Sequence, residues 1–196
     1  MTESFLKAAA RGDTGTLRRL IGEGAPVDSR DGRGRTALLL ATIADAPEAA
    51  RLLIASGADV NAQDDQLDSP YLYAGAAGRL EILKMTLAAG ANLGSTNRYG
   101  GTALIPACER GHVAVVKLLL ESGVDVDHVN RLGWTGLLEA VILGNGGPAH
   151  IEIVQLLVDE GADVNLADRD GVTPLQHARR KGQAEIVRIL ERAGGR

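Results

Sequence analysis

The sequence predicts an all-α solenoid of helix-turn-helix units linked by short β-hairpin loops, and three observations carry that prediction. A Gly-Ala-Asp-Val-Asn-like block recurs at Gly24–Asp28, Gly57–Asn61, Gly90–Gly94, Gly123–Asp127 and Gly161–Asn165, spaced by 33 residues and in the last step by 38. A second block follows twelve residues later in register, as Thr36-Ala37-Leu38, Ser69-Pro70-Tyr71, Thr102-Ala103-Leu104, Thr135-Gly136-Leu137 and Thr173-Pro174-Leu175. Between the blocks run two short apolar stripes of helical spacing, separated by a glycine. A fixed period of this size means one supersecondary unit stacked repeatedly, since no single unit can bury its apolar face alone.

Residues 97–127 show how one unit is built. Thr102 stands where a hydroxyl accepts hydrogen bonds from the first N–H groups of a helix. Pro70 and Pro174 take the first helical position of sister units, where a missing N–H costs nothing. The first helix stops near Gly111, with Gly12, Gly78, Gly144 and Gly182 at the same point; Asp45 takes that place in the second unit and tolerates left-handed backbone angles. The second helix is predicted over Val113–Glu121, with Val115, Val116, Leu119 and Leu120 on its buried face. Gly123 ends it, and the stretch to Gly133 reads as an extended hairpin leading to the next unit.

Composition excludes several function classes. Apolar residues make up 45% and charged residues 23%, too apolar for a disordered chain. Aromatic residues are only 3%, so Ala and Leu carry the core. A net charge of −4 argues against sequence-independent nucleic-acid binding, which needs a basic stripe. The exception is residues 179–196, with six Arg/Lys against two Glu; this reads as a polar cap on the last unit, with a basic docking patch as the other reading. Cys108 is the single cysteine, so no intramolecular disulfide forms. Residues 1–20 carry Glu3, Lys7, Arg11 and Asp13 and read as neither a signal peptide nor a membrane span, so a cytoplasmic monomer is expected.

Taken together, the repeated residues resemble ankyrin repeats, whose unit reads roughly D-x-x-G-x-T-P-L-H-x-A, then G-H, an apolar helix and G-A-D-V-N. Thr173-Pro174-Leu175-Gln176-His177-Ala178 and Gly161-Ala162-Asp163-Val164-Asn165 lie closest to that pattern. The resemblance covers residues 1–196 as one domain: repeats at 1–28 (degenerate), 31–61, 64–94, 97–127, 130–165 and 168–196. It also has departures. Leu39, Leu72, Ile105, Leu138 and Gln176 replace the motif histidine, so apolar packing is expected in place of its hydrogen bonds. Leu67 stands in the hairpin glycine slot that Gly34, Gly100, Gly133 and Gly171 keep. It implies either a different turn or a left-handed strain of roughly 1–2 kcal/mol. The fifth repeat inserts residues 145–149 between its helices, read as a flexible loop.

The resemblance implies binding of another protein through a concave face of hairpin tips and inner helices. Tips include Leu132 and Arg169, and inner-helix ends include Leu143 and Arg180. Aromatic and arginine side chains dominate interface hot spots, which selects Arg98, Tyr99, Arg131 and Trp134, with Tyr73 and Glu109 at the edge. The competing reading packs Trp134 between hairpins and leaves the arginines as solvated tips. A further alternative is an accessory subunit with a small-molecule groove around Tyr99, Glu109 and Trp134, and a third is a structural spacer.

Catalysis is not expected. Cys108 and His112 are spaced as a nucleophile and base could be, but His112 is the Gly-His position of the motif and no third residue orients it. The histidines lack paired ligand spacing. Asp64, Asp65 and Asp68 lack the glycine-spaced loop of a dedicated calcium site. Gly144-Asn145-Gly146-Gly147 lacks the Lys and Ser/Thr of a phosphate loop. No metal or cofactor is therefore expected.

Overall fold

The computed structural model describes residues 1–196, and the chain forms two compact units, Met1–Arg98 and Tyr99–Arg196. Each is built the same way. In the first, inner helices α1 (Thr2–Ala10), α3 (Ala37–Ile43) and α5 (Pro70–Ala76) pack side by side. Outer helices α2 (Thr14–Gly22), α4 (Pro47–Ala55) and α6 (Leu80–Ala88) form a second layer behind them. In the second, the inner layer is α7 (Leu104–Glu109), α9 (Gly136–Ile142) and α11 (Pro174–Arg180). Its outer layer is α8 (Val113–Glu121), α10 (Pro148–Asp159) and α12 (Ala184–Arg192).

Burial of the stripes between layers drives this arrangement. Phe5, Leu17, Leu39, Leu53 and Ile82 are fully buried in the first unit, and Leu104, Leu119, Leu138, Ile153 and Leu157 in the second. Four of the five residues in the motif-histidine slot, Leu39, Leu72, Ile105 and Leu138, are core side chains. The fifth, Gln176, is exposed and closes a reciprocal capping box with Thr173.

Helix starts follow the sequence with one correction. Thr36, Ser69, Thr135 and Thr173 each accept the N–H three residues on. Their carbonyls each accept the N–H four residues on, from Leu40, Tyr73, Glu139 and His177. In the repeat of Thr102 that fourth residue is Pro106, which has no N–H to give. The helix therefore begins late, at Leu104, and the buried Thr102 hydroxyl finds no protein partner.

Inner-helix ends are bridged by a recurring bond from the residue after the left-handed position to an alanine carbonyl five residues back. His112 N–H to Ala107 O (3.0 Å) and Gln183 N–H to Ala178 O (3.0 Å) are two instances. The insertion breaks this pattern in the fifth repeat. The left-handed glycine there is Gly146 (φ 68°), not Gly144, and Ala140 lacks the recurring bond. Only part of the insertion lengthens the loop, which spans 143–147 against 110–112 in the repeat before, because Pro148 opens α10 and lengthens it to 12 residues against 9 for its sisters. The exposed carbonyls of α9 are met from the sixth repeat instead. Lys181 Nζ donates to Ile142 O (2.5 Å) and Gly144 O (3.0 Å), and Gln183 Nε2 donates to Val141 O (3.0 Å).

The hairpins are tight turns with one isolated antiparallel bridge, Arg30 with Thr36, rather than strand ladders. Four are closed the same way: Asp31 N–H to Arg35 O, Asp64 N–H to Asp68 O, Asn130 N–H to Trp134 O and Asp168 N–H to Val172 O, all 3.0–3.1 Å. Leu67 keeps the family turn and takes the strained alternative, at φ 59°; Asp45 sits at φ 53°.

Candidate functional site

In the Tyr99–Arg196 unit the inner face is assembled from two hairpins and the helices they introduce. Asn130 organises the second hairpin: its Oδ1 accepts the N–H groups of Leu132 (2.9 Å) and Trp134 (3.1 Å). The tip is stitched to its neighbour by Arg131 N–H donating to Tyr99 O (2.9 Å). The Arg131 side chain lies over Gly100, where an added Cβ would stand 2.9 Å from Arg131 Cγ. Arg169 repeats the move one hairpin on. It covers Gly133, where an added Cβ would stand 2.6 Å from Arg169 Cγ, and its guanidinium donates to Arg131 O. The tips are thus an ordered stack of arginine stems on glycines.

Four of the six residues selected from the sequence lie in this unit. Tyr99 is 54% exposed at its tip, and Arg131 is exposed beside it. Trp134 is half-buried at the base of the hairpin. Glu109 is half-buried at the end of α7, and its carbonyl accepts His150 Nε2–H (2.8 Å). The other two lie in the Met1–Arg98 unit, where Tyr73 is half-buried on α5 and Arg98 is exposed with its guanidinium donating to Gln66 Oε1.

Three residues outside that selection belong to the same inner surface. Leu132 (52% exposed) and Leu143 (49% exposed) stand at a hairpin tip and at the end of α9. Glu139 lies within α9, only 6% exposed, and accepts Asn130 Nδ2–H at 2.7 Å. Burial, and then the negative charge of Glu109, push its carboxyl up to about 7, while the bond from Asn130 and the charge of Arg110 act the other way. The signal in the sequence was one acidic residue in the otherwise apolar run Gly136-Leu137-Leu138-Glu139-Ala140-Val141.

Cys108 lies beneath this face, fully buried against Gly136, where an added Cβ would meet its Sγ at 3.2 Å. Burial and the charge of Glu139 push its thiol up, which disfavours the thiolate a nucleophile needs. In the other unit the Asp64 carboxylate is engaged by its own turn, accepting Gln66 N–H (2.8 Å) and Asp68 N–H (3.0 Å).

Paired helices in two layers, projecting hairpins and a residue register kept across repeats define the class: a helical repeat protein. The family follows from three comparisons. The family model for ankyrin repeats (three copies) matches residues 4–64, 71–168 and 145–194. The crystal structure of an ankyrin repeat domain from Acinetobacter baumannii AYE is 56% identical, with 98% of each chain covered and a TM-score of 0.95. That of EF0377, an ankyrin repeat protein, is 44% identical, with 97% of this chain and 98% of that chain covered and a TM-score of 0.93. No curated protein matches the chain. The chain belongs to the ankyrin repeat family, a fold common in protein–protein interaction. No helix is long and apolar enough to cross a membrane.

Proposed function

We propose that the chain is a non-catalytic protein-binding module and that its partner docks on the hairpin tips and inner helices. The observation that carries this reading is where large apolar side chains reach solvent. In the Tyr99–Arg196 unit they are Tyr99, Val129, Leu132 and Leu143, on hairpins, the loop into a hairpin, or an inner-helix end, and none lies on an outer helix. Leaving such groups in water forfeits roughly 25 cal/mol for each Å² that a partner would cover. A face whose backbone is already fixed by the Asn130 and Arg131 bonds also avoids an ordering cost on binding.

Within that face Tyr99 and Leu132 are the anchors, Arg131 and Trp134 the support of their hairpins, and Glu109 the edge. In the other unit Tyr73 and Arg98 occupy the corresponding inner positions. Affinity capture with the parent chain and with a Tyr99→Ala/Leu132→Ser variant tests the reading. Both side chains are exposed, so the variant's unfolding midpoint stays within about 0.5 kcal/mol of the parent. A partner retained by the parent and bound at least about ten-fold more weakly by the variant supports it. A partner held equally by both sinks it.

A further inference from the structure

Charge in the Tyr99–Arg196 unit is sorted by layer. On the outer helices α8, α10 and α12 with their adjoining loops, nine acidic side chains stand against four basic ones. The inner layer runs the other way. Arg110, Arg131, Arg169, Arg180 and Lys181 are exposed there, against an exposed Asp170 and a half-buried Glu109.

The remaining acids of the inner layer are set back from the exposed cations, Asp168 half-buried and Glu139 buried. Asp168 holds His177 Nε2 at 2.7 Å, and Glu139 is buried against Asn130. Arg169 and Lys181 donate to neutral carbonyls, which fixes these cations in place without cancelling them. The two layers are separated by about one helix diameter, roughly 10 Å. The screening length at physiological salt is about 8 Å, so the inner face presents its own sign although the unit as a whole is acidic.

We infer that the segment docking here is an acidic polypeptide carrying large apolar side chains, an inference that rests on the reading of this face as a protein-docking surface. Carboxylates of the partner meet the arginines bidentately, and its apolar side chains cover Tyr99, Leu132 and Leu143. A nucleic acid would satisfy the cations but leave the two exposed leucines without an apolar complement. A polypeptide satisfies both.

The test is selection of short random peptides from a displayed library against the full chain. Binding of the selected peptides is then measured by the fluorescence of Trp134, the single tryptophan, half-buried in the hairpin of Arg131. The expected peptides carry net negative charge with large apolar residues, and they bind less tightly as salt rises. An Arg110→Glu/Arg180→Glu variant binds them about ten-fold or more weakly, and Arg180→Gln alone gives a smaller loss in the same direction. Lys117→Glu on α8 leaves them within about two-fold.

Two kinds of failure are distinguishable. Neutral or basic peptides that are lost on Tyr99→Ala/Leu132→Ser would leave the docking face standing and overturn the acidic partner. Peptides indifferent to every inner-face variant, or no selection at all, would remove the docking reading and this inference together. A single-stranded oligothymidylate bound as tightly as the best peptide, and lost on charge reversal, would overturn the polypeptide in favour of a nucleic acid.

Discussion

The side-chain amide of Asn130 donates to Glu139 Oε1 across 2.7 Å, tying a hairpin to a carboxyl group held inside the inner layer. The next repeat fills the same two slots with Asp168 and His177, also 2.7 Å apart, and there the hairpin residue accepts. One geometric contact is thus made by opposite chemistries, and the Glu139 version carries a consequence for pH.

Glu139 should make stability fall as pH rises. Its carboxyl titrates near 7 when folded, above its ordinary value of 4.5. The folded state keeps a proton that the unfolded chain has already lost, so the contribution is fully present below pH 4.5 and is lost by about pH 7. At about 1.4 kcal/mol per unit, this one group removes on the order of 3 kcal/mol across that window. Glu139→Gln keeps an acceptor for Asn130 and loses the titration. Denaturant midpoints at pH 5 and pH 8 should show the variant gaining on the parent at the higher pH. Parallel profiles would contradict the assignment.

Equivalent threonines should respond in opposite directions. Thr135 caps α9 through Leu138 N–H, so Thr135→Val should cost about 1 kcal/mol. Thr102 caps nothing and buries an unpaired hydroxyl, so Thr102→Val should be neutral or gain up to about 1 kcal/mol. Thermal melts of the two single variants decide it, and losses of the same size would show that Thr102 does cap its helix.

The hairpin slot offers a second matched pair. Leu67 is held at φ 59°, so Leu67→Gly should stabilise by about 1 kcal/mol. Gly133 is at φ 86° beneath Arg169, so Gly133→Ala should cost about 1–2 kcal/mol and displace the Arg169 side chain. A destabilised Leu67→Gly would mean that the leucine side chain contributes packing that outweighs its backbone strain.

Lys181 should behave as the C-terminal cap of α9. Lys181→Met removes the donor from Ile142 O and Gly144 O, at a cost of about 1 kcal/mol. Faster amide exchange over residues 141–147 should accompany it. Arg180→Met, one residue away, should change neither quantity, and equal effects of the two would sink the capping role.

Most of the fold was legible because the 33-residue period acts as a ruler. Measured against it, Leu67 and Asp45 stood out in glycine slots, with left-handed backbone one of two readings for Leu67 and the one the structure takes, and Val113–Glu121 is the observed extent of α8. What the ruler missed depends on partners outside the slot. Thr102 fills its slot correctly, yet Pro106 removes the bond that closes its turn. The insertion looked like a free loop, but Pro148 extends α10 and Lys181 holds the carbonyls that the insertion exposes. The proposed face was partly legible for the same reason. Tyr99, Arg131 and Trp134 were selected as residue types at tip positions. Glu139 was not, because its raised pKa arises first from burial that periodicity does not report, and then from Glu109, distant in sequence.

The most direct measurement of the docking face is amide hydrogen exchange on the full chain, free and saturated with a peptide selected against it. New protection should concentrate in residues 99–111 and 130–144, the hairpins and inner helices that present Tyr99, Leu132 and Leu143, and leave α8 and α10 unchanged. Protection centred on α8 or α10, with residues 99–111 and 130–144 unaltered, would place the partner on the opposite layer and contradict the inner-face reading.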